Sequence, residues 1–191
     1  MLDRSFACGV DAGAAQARSV VYRVEGGIPR LLGYGDAVSS GWAKSRIENP
    51  DAVSCSIARS VEAAESMAQI SIHTAVFGTS SEADVEPLLT AANRAHLAVE
   101  EVVLSPIAAF HAVVTGEERE NDVIVVDVGA RGTRIVVGPV GSPRLAAELP
   151  ISWDHFIRDV AYGLSVSLEE AALLSSELLT YLWRNLSGSI T

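Results

Sequence analysis

Residues 6–10 form a nearly unbroken apolar run that stops at Asp11-Ala12-Gly13, and β-branched and aromatic residues resume over 18–24 before Gly26-Gly27. This pattern predicts strand, turn, strand. Gly-Gly-Ile-Pro supplies a second turn and residues 31–34 a third strand, which closes an antiparallel meander. Asn49-Pro50-Asp51 then places a capping residue before a proline at the first helical position. Val53, Ile57, Val61 and Ala64 recur at helical spacing, so a long amphipathic helix follows. Residues 71–77 read as extended, 83–98 as helical and 99–104 as extended again, and Ser105-Pro106 opens a short helix. The order β-β-β-α-β-α-β-α predicts an α/β fold with a ribonuclease-H-like mixed sheet, in which the crossovers make the later strands parallel.

Residues 115–122 are polar and Glu-rich, and they separate two segments that each begin with an apolar strand ending in Asp-x-Gly. The expected boundary lies there, giving a first lobe over 1–116 and a second over 117–191. Strands over 123–128, 133–137 and 145–150 repeat the three-strand opening, and helices are expected over 154–164 and 168–186. With no further crossovers, the second β-β-β-α unit is expected to be incomplete.

Composition narrows the function. The 191 residues are 49% hydrophobic and 20% charged, enough for a sizeable core. A net charge of -10 with no basic cluster excludes a phosphate-backbone partner, and with it a nuclease of ribonuclease-H type. Cys8 and Cys55 read as small core residues, and His73, His96, His111 and His155 lack metal-ligand spacing. The N-terminus lacks a signal-peptide pattern and no apolar run has the roughly 20 residues of a membrane span. A soluble cytoplasmic protein is expected.

The candidate chemistry lies in the pair Asp11-Ala12-Gly13 and Asp127-Val128-Gly129. A carboxylate at the end of a buried strand, followed two residues later by glycine, suits a place where backbone amides approach phosphate while the acid holds a metal or water. One such turn is common for conformational reasons alone. Two at the same position of repeated β-β-β units imply pseudo-twofold hairpins facing across a cleft.

These segments resemble the superfamily of actin, sugar kinases and DnaK-type chaperones, and within it the FtsA and PilM families. Residues 8–16 look like the first phosphate loop, and Leu31-Leu32-Gly33-Tyr34-Gly35 like the third strand with Ser39-Ser40-Gly41-Trp42 as its following turn. Ser105-Pro106-Ile107-Ala108-Ala109 resembles the connecting-helix start. Residues 125–137 resemble the second phosphate loop, and Trp153-Asp154-His155-Phe156 through Leu168-Glu169-Glu170-Ala171 the helix pair after it. The resemblance implies ATP and Mg²⁺ at Asp11, Gly13, Ala14, Ala15 and Gln16 of the first loop and at Asp127, Gly129, Ala130, Arg131, Gly132 and Thr133 of the second, with Asp11 and Asp127 on the metal.

Departures fall on the phosphate chemistry. Ala14 and Ala15 stand where a hydroxyl and a polar or basic residue are usual, leaving Gln16 as side-chain donor. A basic residue, Arg134, occupies the place of an acid, and Arg131 and Arg134 read either as phosphate partners or as ion-paired residues. The chain ends before the adenosine-binding glycine motif, so half a pocket is expected. About thirty residues stand where FtsA carries an extra subdomain, room for one βαβ crossover, so that subdomain is expected to be absent.

Implied functions are an actin-family scaffold or adaptor with protein partners, through self-association or a membrane-linked machine of cell division or pilus assembly, and at most weak ATPase activity. Its expected place is the cytoplasm, peripheral to the inner membrane through partners. The alternatives are a degenerate, nucleotide-independent interaction module or a small-molecule kinase, for which no acceptor site is visible. The apolar stripe Leu178, Leu179, Leu182, Trp183 and Leu186 reads as core or subunit contact, its polar face not being basic.

Overall fold

A computed structural model describes residues 6–26, 28–43, 46–116, 118, 121–130 and 132–186, with side chains as far as Leu178. Its strands are β1 (Ala7–Ala12), β2 (Gln16–Glu25), β3 (Ile28–Val38), β4 (Trp42–Ala43), β5 (Arg46–Ile47), β6 (Thr74–Thr79), β7 (Ala98–Leu104), β8 (Val123–Val128), β9 (Thr133–Gly138) and β10 (Arg144–Leu149). The helices are α1 (Pro50–Ala68), α2 (Val85–Arg94), α3 (Ser105–Val113), α4 (Trp153–Leu164) and α5 (Leu168–Leu186).

The chain packs as two units, one of residues 1–127 with 134–148 and the other of 128–133 with 149–191. In the first unit a five-stranded sheet runs in the order β3-β2-β1-β6-β7. β1 pairs antiparallel with β2, β2 antiparallel with β3, β1 parallel with β6, and β6 parallel with β7. That is the mixed ribonuclease-H-like sheet, and α1 and α2 are its crossovers. The interval from β6 to α3 holds a single such crossover.

Local chemistry explains the element boundaries. Asn49 caps α1, its side-chain oxygen accepting from the amides of Asp51 at 3.0 Å and Ala52 at 3.2 Å, with Pro50 opening the helix. The backbone of α1 lies so close on β3 that a Cβ at Gly35 would come 2.0 Å from the Ser60 carbonyl, so only glycine fits. Beside it, buried Ser19 of β2 and Ser60 of α1 hydrogen-bond at 2.7 Å. Sixteen buried residues, among them Val10, Val21, Ile57, Phe77 and Leu88, make one core between the sheet and these helices.

Five details differ from the sequence expectation. The third strand extends to Ile28–Val38, because pairing with β2 continues beyond the apolar stretch. β6 begins at Thr74 because the Ile72 amide donates to the Glu65 carboxylate at 2.5 Å and its side chain turns into the core. The helix expected over 83–98 is a 3-10 turn, Glu82–Asp84, followed by α2, which stops where His96 adopts φ 59 and frees the chain to enter β7. The short β4–β5 hairpin was not foreseen; Arg46 on β5 ties it to buried Asp84 at 2.9 Å. Cys8 is buried and its thiol is pushed up to about 11, chiefly by burial and then by the charge of Glu65, whereas Cys55 faces solvent rather than the core.

A three-stranded sheet, β10-β9-β8, follows the order in which β3, β2 and β1 pair. Its core is small: Phe110, Val114 and Val136 are buried, with Ile107, Val123 and Val125 against them. On the alternate positions of β8, Ile124, Val126 and Val128 are 68%, 55% and 53% exposed. In the second unit α4 and α5 meet at buried Ala161, Ala171 and Ser175, while Tyr162, Leu168, Leu173 and Leu178 stay exposed. Of the C-terminal apolar stripe, the side chains beyond Leu178 lie outside the described residues.

Candidate functional site

One row of paired positions crosses the five-stranded sheet from Asp36 on β3 through Arg18 on β2 and Asp11 on β1 to Gly78 on β6 and Val103 on β7. Side chains along such a row share a face. Asp11 therefore stands beside Arg18 on one hand and beside a glycine on the other. The gap left by Gly78 is used: Ser105, at the start of α3, reaches over it and donates to Asp11 Oδ1 at 2.6 Å. A Cβ at position 78 would sit 2.8 Å from Ser105 Oγ and 3.1 Å from Asp11 Oδ1.

Burial is the largest influence on Asp11 and raises its carboxyl above the ordinary value; the Ser105 hydrogen bond and the Arg18 charge oppose it, the negative charge of Asp127 adds to it, and Arg134 opposes it. Asp11 and Asp127 both line a groove of about 490 Å³ floored by Gly9, Val76 and Val103 and walled by Ala108 and Ala112 of α3. The charge of Asp127 thus reaches Asp11 within the first unit. Among the described residues no three His, Cys, Asp or Glu side chains converge. Such an oxygen pair fits a hard divalent cation that brings its remaining ligands as water and phosphate oxygen.

The first turn is built tightly. The Gly13 amide donates to the Gln16 carbonyl at 3.1 Å, and a Cβ at Gly13 would meet that oxygen at 2.8 Å. Ser39 straps the turn from outside, its hydroxyl donating to the Gly13 carbonyl at 2.6 Å and its amide to the Ala15 carbonyl at 3.0 Å. The Gly13 amide is consumed inside the turn, whereas the Ala14 and Ala15 amides donate to no backbone acceptor among the described residues. Gln16, foreseen as the side-chain donor, also accepts through its Oε1 from Arg18 at 2.7 Å.

The second turn closes in the same way, with the Gly129 amide donating to the Gly132 carbonyl at 2.9 Å. Here the strap is the start of α4: the Trp153 amide donates to the Gly129 carbonyl at 3.0 Å and the Asp154 amide to the Ala130 carbonyl at 3.2 Å. The Thr133 hydroxyl donates to the Ile151 carbonyl at 2.7 Å. Arg131 lies outside the described residues. Arg134, just past the turn, is 8% exposed; its Nε donates to the Ser80 carbonyl at 3.1 Å and its Nη2 pairs with Glu148 at 3.0 Å. It is an ion-paired residue, and its charge still reaches Asp11.

The residues that sequence reasoning did not assign to the site are Ser105, Gly78 and Ser39. Each acts at long separation in the chain, Ser105 at 94 positions from Asp11 and Ser39 at 26 from Gly13. No local periodicity encodes such contacts.

No protein-family model matches the chain. In sequence it is similar to the cell division protein FtsA of Borreliella burgdorferi, at 36% identity over 83 residues that cover 44% of this chain and 20% of that protein. It is likewise similar to FtsA of Bacillus subtilis, at 28% over 100 residues covering 52% of this chain and 23% of that one. The match spans only about a fifth of the length of these curated relatives. In fold it is similar to the ethanolamine utilization protein EutJ of Carboxydothermus hydrogenoformans, with a TM-score of 0.75 and 23% identity over 92% of this chain and 62% of that one. A chain of the PilM–PilN type IV pilus biogenesis complex superposes with a TM-score of 0.68 and 17% identity, covering 96% of this chain and 76% of that one. With its β3-β2-β1-β6-β7 sheet order and its repeated strand-end turns, the chain has the actin-like ATPase fold, and part of its sequence is similar to FtsA.

Proposed function

We propose that the chain is an FtsA- or PilM-like scaffold or adaptor of a membrane-associated bacterial assembly, of cell division or pilus assembly, that binds ATP and Mg²⁺ through its two Asp-x-Gly turns. The observation that carries the reading is the matched closure of the turns, Gly13 to Gln16 and Gly129 to Gly132, each following a carboxylate at a strand end. The proposed lobes are 1–116 and 117–191. Asp11 and Asp127 would hold the cation. Phosphate would meet the Ala14 and Ala15 amides and the Gln16 amide group in the first turn, and Gly129, Ala130, Arg131, Gly132 and Thr133 in the second. When bound, Mg²⁺ supplies charge neutralisation to the phosphates; everything else falls to positioning by the chain, which fits weak ATPase activity at most. Partners would be proteins, through self-association or a membrane-linked assembly, and no helix among the described residues is long and apolar enough to cross a membrane. The proposed location is cytoplasmic, peripheral to the inner membrane through those partners.

The second reading, a nucleotide-independent interaction module of the same fold, is favoured by Ala14 and Ala15, which offer no side-chain donor to phosphate. Titration with a fluorescent ATP analogue and Mg²⁺ separates the two. Saturable binding that is lost in Asp11→Ala and weakened in Asp127→Ala supports the nucleotide reading; no binding at millimolar nucleotide leaves the interaction module.

A further inference from the structure

Asp11 and Arg18 are direct cross-strand partners on β1 and β2, of opposite charge and on one face of the sheet. Opposite charges at such positions ordinarily pair. Here they do not: Arg18 makes its hydrogen bond to Gln16 Oε1 at 2.7 Å, and Asp11 accepts from Ser105 at 2.6 Å on its other side. Arg18 acts on Asp11 only through space. Two hydrogen bonds, pulling in opposite directions along the row, hold an acid and a base apart.

We propose that Ser105 is a positioning residue for the nucleotide site, and that its hydrogen bond, balanced by that of Gln16 on Arg18, keeps the Asp11 carboxylate from collapsing into an ion pair with Arg18. The inference rests on the reading of Asp11 as a cation ligand. A carboxylate paired with a guanidinium has given its lone pairs to fixed donors and its charge to a fixed counter-ion, so it has little left for a divalent cation. A carboxylate held by one hydroxyl keeps its full negative charge and its second oxygen. Gly78 belongs to the device, since a Cβ there would crowd both Ser105 Oγ, at 2.8 Å, and Asp11 Oδ1, at 3.1 Å. The burial of Asp11 adds to its effect, because a half-dry carboxylate seeks a counter-charge more strongly than one in water.

The device is tested by a cycle on the full chain, with Mg²⁺ and a fluorescent ATP analogue as the probe. Ser105→Ala removes the hold and is expected to weaken binding about three- to tenfold, the range of one hydrogen bond. Ser105→Thr, which keeps the hydroxyl, restores it. The deciding variant is the double Ser105→Ala/Arg18→Ala: with no guanidinium to collapse onto, Asp11 is free again and binding recovers toward the wild-type value. A second measurement needs no nucleotide. Arginine-selective NMR of the apo chain should show the Arg18 guanidinium protons slowed in exchange and shifted in Ser105→Ala, as a new ion pair forms, and unshifted in Ser105→Thr. Wild-type binding that Ser105→Ala leaves unchanged, or a double variant as weak as Ser105→Ala, or an unaltered Arg18 signal in the apo single variant, overturns the positioning role and leaves the nucleotide reading standing. A wild type that binds no nucleotide while Arg18 shifts as expected overturns the nucleotide reading and keeps the hold on Asp11.

Discussion

The turn after β1 and the turn after β8 close on the same hydrogen bond, from the glycine amide to the carbonyl three residues on, yet each is held by a different neighbour. In the first, one residue, Ser39, ties two carbonyls to the end of β3, one through its hydroxyl and one through its amide. In the second, the first amides of α4 do the work, so this turn is coupled to a whole helix. The strands behind them differ as well. β1 contributes Cys8, Val10 and Ala12 to a core of sixteen buried residues, whereas β8 leans on a cluster with three and leaves Ile124, Val126 and Val128 exposed. Local stability follows buried apolar contact. One repeat has therefore produced a stiff turn on a complete sheet and a looser one whose position follows a helix.

The largest effect that sharpens this contrast comes from the core. Phe77→Ala, at a fully buried site in the sixteen-residue cluster, should cost about 3–5 kcal/mol and lower the denaturant midpoint of the whole first sheet. Native-state hydrogen exchange should find the Gly13 amide protected nearly to that global limit and the Gly129 amide exchanging faster. Equal protection at both glycines would remove the distinction between the turns. Next in size is Gly13→Ala, where the new Cβ meets the Gln16 carbonyl at 2.8 Å and the turn must shift, at about 1–3 kcal/mol by thermal unfolding. Smaller again are the straps: Ser39→Ala and Thr133→Val each remove one hydrogen bond, at about 1 kcal/mol. Only Ser39→Ala should speed exchange at Gly13.

The smallest effect is electrostatic and depends on pH. Burial raises the Asp11 carboxyl in the folded state, so the native protein holds this proton more tightly than the unfolded one. Stability from this group is then greatest at low pH and falls as pH rises from the ordinary carboxylate range through the raised value. Asp11→Asn, which cannot ionise, should melt above the wild type at about pH 7.5, with the gap closing near pH 4. A gap that widens on acidification would mean that Asp11 is stabilised as the anion.

Much of this was legible in the sequence because it is local. Apolar runs, the Asn49-Pro50 cap and the glycines placed the strands and helices of the first sheet, and the repeated Asp-x-Gly marked both strand ends. Misplaced boundaries lay where a tertiary contact overrode the local pattern, as at Ile72, whose amide serves Glu65, and at His96, whose left-handed conformation ends α2 early. The hidden part of the site was hidden for the same reason. Ser105 looks like an ordinary helix-start residue until β6 and β7 bring it over Gly78, and Arg134 reads equally as phosphate partner or ion-paired residue until Ser80 and Glu148 decide it.

The central claim, that Asp11 and Asp127 form the cation-holding pair of a nucleotide site, is tested most directly by electron paramagnetic resonance of Mn²⁺ titrated into the full chain with and without ATP. The account predicts bound Mn²⁺ that requires ATP, disappears in Asp11→Asn and weakens in Asp127→Asn. Mn²⁺ that stays free at millimolar ATP, or binds unchanged in both variants, would contradict it.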